Sequence, residues 1–146
     1  MRPAGTPVGL QLALTSKAVS RAFNDALVAA GGSLPVWLVL SSLRRSPHRA
    51  QRDLASSMGI TGATLTRHLD NLAQAGLVER VRDPEDRRNN QVELTAAGIR
   101  LHDRLIEAAI AFDRRLRTGL SERELATVAR ALDKLQSNVR EDEAGT

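Results

Sequence analysis

The chain has no cysteine and no tyrosine, and its aromatic residues are one tryptophan and two phenylalanines. Without thiols it can form no disulfide framework, no thiolate metal site and no thiol-based redox sensor. With so few aromatics its core must rest on leucine, valine and alanine, a profile that suits helices better than a β-sandwich. Lysine is scarce too: among 21 basic residues only Lys17 and Lys134 are not arginine. No stretch approaches the roughly 18 consecutive apolar residues of a membrane span. Val8 to Leu14 is interrupted by Gly9 and Gln11, where a secretory leader would run unbroken. A cytoplasmic protein with no membrane contact is expected.

What is present is a chain of 146 residues, 42% of them apolar, enough for one compact domain with a real core. The formal net charge of +4 is carried by arginine, whose planar fork matches phosphate oxygens and guanine edges. That makes nucleic acid a candidate partner, with an ordinary solvated surface as the alternative.

Apolar residues at helical spacing predict an amphipathic helix over 10–30, through Leu12, Val19, Ala22, Phe23, Ala26, Leu27 and Ala30, ended by Gly31-Gly32. Ser33 caps a second helix that tolerates Pro35 in its first turn, buries Trp37, Leu38, Leu40 and Leu43, and stops at Pro47. A short third helix follows from Gln51 to Met58. A fourth runs from its cap Thr61 to Ala75, ended by Gly76. Two strand-like runs, 77–82 and 91–94, flank the polar stretch 83–90 and predict a β-hairpin with a long tip. Thr95 caps a long helix to Arg117 with Leu101, Leu105, Ala108, Phe112 and Leu116 on one stripe. Ser121 and Glu124 form a capping box that opens a last helix, fraying after Arg140. The terminal helices carry more apolar stripe than the central module can cover, which argues for a second copy of the chain.

Residues 51–72 have the spacing of two helices crossing at a tight turn. Ala55 is small at the crossing, Gly59 permits the left-handed turn, and Leu54, Met58, Ile60, Leu65 and Leu69 supply a shared core. The second of these helices would present Thr61, Gly62, Ala63, Thr64, Thr66 and Arg67 to a DNA major groove. A plain helical hairpin meets the same spacing. The hairpin tip adds Arg87 and Arg88, suited to a minor groove whose negative potential draws arginine, with Asp86 placed to orient a guanidinium. Arg44, Arg45, Arg49 and Arg52 suit flanking phosphates.

Asp83-Pro84-Glu85-Asp86-Arg87-Arg88 followed by Val92-Glu93-Leu94-Thr95-Ala96-Ala97-Gly98 resembles the wing signature of the MarR (multiple-antibiotic-resistance regulator) family. The likeness extends to residues 34–40, to Asp53-Leu54-Ala55, to Gly59-Ile60-Thr61 and to residues 72–79. It implies a mainly α fold with a small β-hairpin wing: a single domain over 1–146, with a winged helix-turn-helix lobe over 34–98 and dimerisation helices over 8–31 and 99–141. It further implies a bacterial homodimeric transcription factor, usually a repressor, that binds double-stranded DNA and is released by a small aromatic or lipophilic effector. Thr64 and Arg67 would then lie in the reading helix, Asp86 and Arg88 would form the wing's acid–arginine pair, and Trp37 is a candidate to line the effector cavity. Gly62-Ala63 and Ala50 depart from the family's usual residues, and His68 stands at a site that is usually apolar, where it either packs half-buried or turns to phosphate.

An enzyme finds little support. His48, His68 and His102 are far apart in sequence with no metal-ligand spacing, and there is no phosphate-binding glycine loop, so neither metal nor cofactor is expected. The remaining rival is a winged-helix module that contacts protein and not DNA.

Overall fold

The computed structural model describes residues 5–46, 49–85 and 90–144. Among these lie α1 (Val8–Ala29), α2 (Leu34–Arg45), β1 (Arg49–Ala50), α3 (Gln51–Met58), α4 (Gly62–Gln74), β2 (Val78–Arg82), β3 (Asn90–Leu94), α5 (Ala96–Leu116) and α6 (Glu122–Ala144). The fold is mainly α with a β-hairpin wing, as expected. The chain divides into two compact units, one ending at Phe112 and the other beginning at Asp113.

In the first unit, sequence chemistry accounts for most boundaries. Ser33 takes an extended backbone and its Oγ accepts from the Val36 N–H at 3.3 Å, satisfying one of the free donors of α2. The Asn24 side chain of α1 accepts from the Leu34 N–H at 3.0 Å, so the two helices share the turn between them. Thr61 caps α4 in the same way, through the Thr64 N–H at 3.1 Å. Between α3 and α4, Gly59 sits at φ +66°, a left-handed conformation that costs a side chain-bearing residue about 1 kcal/mol or more.

Leu27, Val39, Leu40, Leu54, Leu65, Leu69, Val92 and Leu105 are fully buried and join α1 to α5 and the sheet in one core. On α2 the buried positions are Val39, Leu40, Ser42 and Leu43, with Trp37 only half-buried and Leu38 exposed. The expectation that Leu38 faces inward is therefore wrong. Four neighbouring apolar residues cannot share one face of a helix, and Val39 takes the inner place.

The sheet has one strand more than the hairpin read from the sequence. The two-residue β1 pairs antiparallel with β3, giving the order β1-β3-β2 with Arg49 opposite Val92 and Arg80 opposite Val92 on the other edge. Two residues are too few to leave an alternating pattern.

The hairpin is tied to its neighbours at one point. Thr95 donates its N–H to Leu77 O at 3.1 Å and its hydroxyl to Gly76 O at 2.6 Å, and Thr95 Oγ1 accepts from the Gly98 N–H at 3.1 Å. One threonine thus joins the end of α4, the entry to β2 and the first turn of α5. Gly98 lies so close that a Cβ there would collide with the Leu77 carbonyl oxygen.

In the second unit Ser121 and Glu124 form the expected capping box: the Ser121 N–H donates to Glu124 Oε2 at 2.8 Å and the Glu124 N–H to Ser121 Oγ at 3.2 Å. These bonds from Ser121, the backbone one foremost, hold the Glu124 carboxyl below the usual range. Helix α6 continues to Ala144, four residues past Arg140. Glu141, Glu143 and Ala144 are good helix formers and propagate it.

Gly98→Ala is expected to destabilise the protein by about 1–3 kcal/mol, because the close approach involves backbone that has no rotamer to yield. A urea titration checks this: the midpoint falls while the slope stays constant.

Candidate nucleic-acid interface

Helices α3 and α4 meet through Leu54, Ala55, Leu65 and Leu69, all buried. With that face committed, α4 turns Thr61, Gly62, Ala63, Thr66 and Arg67 to solvent, while Thr64 is partly covered. The six residues expected to face a groove therefore share one end and one outward face of a single helix. His68, one position round from Arg67, is half-buried.

The hydroxyls at this end are linked in order. Thr61 Oγ1 donates to Thr64 Oγ1 at 2.9 Å while accepting from the Thr64 N–H. Thr64 keeps its own hydroxyl proton for an outside acceptor. Thr66 Oγ1 donates to Gly62 O at 2.9 Å and accepts from Gln51 Nε2 at 2.8 Å. Gln51, the first residue of α3, is a contributor that spacing arguments passed over. It lies 15 residues from Thr66 in sequence, and only the crossing angle of the helices brings the two together.

Beside α4 stands the wing. Arg80 on β2 pairs with Asp70 on α4 at 2.7 Å. Both are solvent-accessible, so the pair contributes at most ~1 kcal/mol, yet it fixes strand against helix in register. At the tip end of β2, Asp83 Oδ1 accepts from the Glu85 N–H at 2.9 Å and Oδ2 from Gln91 Nε2 at 3.4 Å. Asp83 closes the turn from both sides, a role the sequence reading had not given it. Asp86, Arg87 and Arg88 lie outside the described residues. Arg44, Arg45 and Arg52 are exposed, as flanking cations should be.

A second cluster lies away from this face. The indole of Trp37 on α2 meets Phe23 of α1 edge-on, with ring centroids 5.5 Å apart. Phe23 stacks on Phe112 of α5 at 5.1 Å. The chain's three aromatic residues thus gather in one place. Among the described residues, Trp37 Nε1 is buried without a hydrogen-bond partner, and so is Nδ1 of His102. His102 on α5 is buried and meets Ser41 Oγ on α2 through Nε2 at 3.2 Å. Desolvation, then the positive charge of Arg44, lower its pKa, against a smaller opposing effect of Asp103. Neither the aromatic trio nor this histidine was foreseen beyond Trp37 alone. Their sequence separations conceal them. Among the described residues no three histidine or carboxylate side chains converge as a metal site.

A MarR-family profile matches residues 33–89. The chain is 30% identical to a MarR-family transcriptional regulator of Rhodococcus sp. RHA1 over 89% of its own length and 90% of that chain, with a TM-score of 0.73. It is similar to a cysteine-to-serine mutant of MarR from E. coli solved with operator DNA: 26% identity, 88% and 93% coverage, TM-score 0.77. PcaV of Streptomyces coelicolor, solved with its natural ligand, shares the fold at 22% identity, 92% and 97% coverage and a TM-score of 0.74.

The buried histidine carries a pH signature. Its unfolded pKa is near 6.5 and its folded value lies lower, so between the two the unfolded chain binds more protons and stability rises with pH. Stability is full above 6.5 and declines as pH falls from there through the folded value. His102→Gln is expected to flatten that decline in chemical unfolding measured across pH 5–8; an unchanged slope would assign it to other groups.

Proposed function

Because the chain belongs to the MarR family, we propose that it is a sequence-specific DNA-binding transcriptional regulator: a homodimeric repressor of a pseudo-palindromic operator, released by a small aromatic or lipophilic effector. The observation that carries this reading is the outward end of α4, where Thr61 to Arg67 stand braced from behind by α3 and from the side by Arg80 on the wing. In this reading residues 34–98 form the DNA-binding lobe within a single domain, α4 enters the major groove, and Asp86, Arg87 and Arg88 at the wing tip reach the adjacent minor groove. Membership of a family of transcriptional regulators speaks against an enzyme, and action on chromosomal DNA implies a cytoplasmic protein.

Dimerisation is supported by apolar surface with nothing to cover it. On α1, Val8, Leu10 and Leu14 are more than half exposed, and on α6, Val128, Leu132 and Val139 are open as well. A second copy places two reading helices about one turn of B-DNA, roughly 34 Å, apart. An effector is supported by the aromatic trio and the two unpartnered buried nitrogens of Trp37 and His102. An aromatic ligand with a polar edge would satisfy both features.

Electrophoretic shift of DNA from the region upstream of its own gene tests the reading. Wild-type protein is expected to bind with an affinity that falls steeply with salt, and Arg67→Ala to lose about 1–3 kcal/mol of binding free energy. Failure to shift any such DNA at low salt would sink the proposal. Sedimentation equilibrium should return twice the chain mass, and Leu132→Glu should shift the protein toward monomer.

A further inference from the structure

The hydrogen bonds around Thr66 decide which of its atoms is free. Its hydroxyl has one proton, given to Gly62 O at 2.9 Å, and its oxygen takes the Gln51 Nε2 donor at 2.8 Å. With the Gln51 nitrogen toward Thr66, the hydroxyl keeps its proton on Gly62 O; with the amide turned over, the Gln51 carbonyl accepts that proton instead. In either case the proton of this hydroxyl is directed back onto the protein. What Thr66 offers outward is its methyl group. Ala63, three residues earlier and also exposed, occupies the neighbouring position on the same helical face. Gly62 adds no side chain. Between the free hydroxyl of Thr64 and the guanidinium of Arg67, the reading end of α4 therefore presents two methyl groups side by side.

Thymine alone among the bases projects a methyl group into the major groove, and alanine and threonine methyls are the contacts it accepts. We infer that Ala63 and Thr66 read the C5-methyl of a thymine in each operator half-site, with Gln51 as the positioning residue that holds Thr66 in this orientation. The inference rests on the proposal that α4 enters the major groove. It assigns to Thr66 a role opposite to that of Thr64: Thr66 reads by apolar contact, Thr64 by donating a hydrogen bond.

The test replaces each thymine of the footprinted operator by deoxyuridine, which removes the methyl and nothing else. Wild-type protein is expected to lose about fourfold in affinity per half-site at one position, the worth of one buried methyl. Thr66→Ser keeps the oxygen and its two hydrogen bonds while deleting the methyl. It should bind thymine DNA more weakly, by up to about fourfold per half-site, and show a smaller deoxyuridine penalty at that position, the remainder being the contact with Ala63. Thr66→Val keeps the methyl without the hydroxyl and should retain most of the thymine preference. Gln51→Ala should shrink that preference, because Thr66 is then held by its bond to Gly62 O alone. Thr66 is exposed and Gln51 partly exposed, and thermal melting checks that each of the three variants folds. Specific binding with no deoxyuridine-sensitive position, or a Thr66→Ser protein that keeps the full penalty, overturns this inference alone. Wild-type protein that shifts no DNA overturns the DNA-binding proposal and this inference with it.

Discussion

The meeting of Leu54 with Leu65 and Leu69 excludes water entirely, and the direction in which α4 presents its outer face depends on it. Each of these leucines contributes roughly 2–3 kcal/mol by burial, far more than any hydrogen bond on the exposed side. The side chains at the start of α4 therefore do not choose their own orientation. Ala55, at the crossing, is small enough for the helices to approach. Gly59 supplies the left-handed step that lets the chain turn back. Given that geometry, Gln51 falls beside Thr66 and Asp70 beside Arg80, so the weak polar contacts are placed by the apolar ones. They refine an arrangement whose energy comes from elsewhere.

The same division of labour runs through the wing motif. Of the residues that carry the family resemblance, Thr95 and Gly98 are engaged within the chain. Thr95 joins three elements through its hydroxyl and its N–H, and Gly98 keeps α5 against the backbone of Leu77. Asp83 holds the strand end from which the tip departs. This portion of the signature maintains the position of the hairpin, which leaves the tip free to vary its chemistry.

Much of this was legible in the sequence for local reasons. Caps, glycine ends and helical stripes are written within a few residues of where they act, and Ser33, Thr61, Thr95 and the Ser121–Glu124 box fall where the pattern puts them. What escaped depends on long-range approach. The Gln51–Thr66 bond, the gathering of Phe23, Trp37 and Phe112, and the Ser41–His102 contact each join residues from different helices. Strand β1 escaped because two residues have no period. Leu38 was misplaced for a related cause: a run of apolar residues on α2 leaves periodicity several choices, and packing against α3, α4 and β3 makes the selection.

Helix α2 is the element the two clusters have in common. Trp37 and Ser41, one turn apart, face the aromatic group and His102, while Val39, Leu40 and Leu43 lie in the core that supports α3 and α4. Trp37 Nε1 and His102 Nδ1 are buried with no protein partner among the described residues. A ligand shifts an equilibrium only through differential affinity, and in the proposed effector reading an acceptor for the indole is one source of it. In that reading, because a close-packed interior moves by discrete rearrangement, a shift of α2 around such a molecule would be passed to the leucines on its other side. Those leucines set the direction of α4, so the helix proposed to read DNA is mechanically next to the most poorly satisfied polar groups in the described structure.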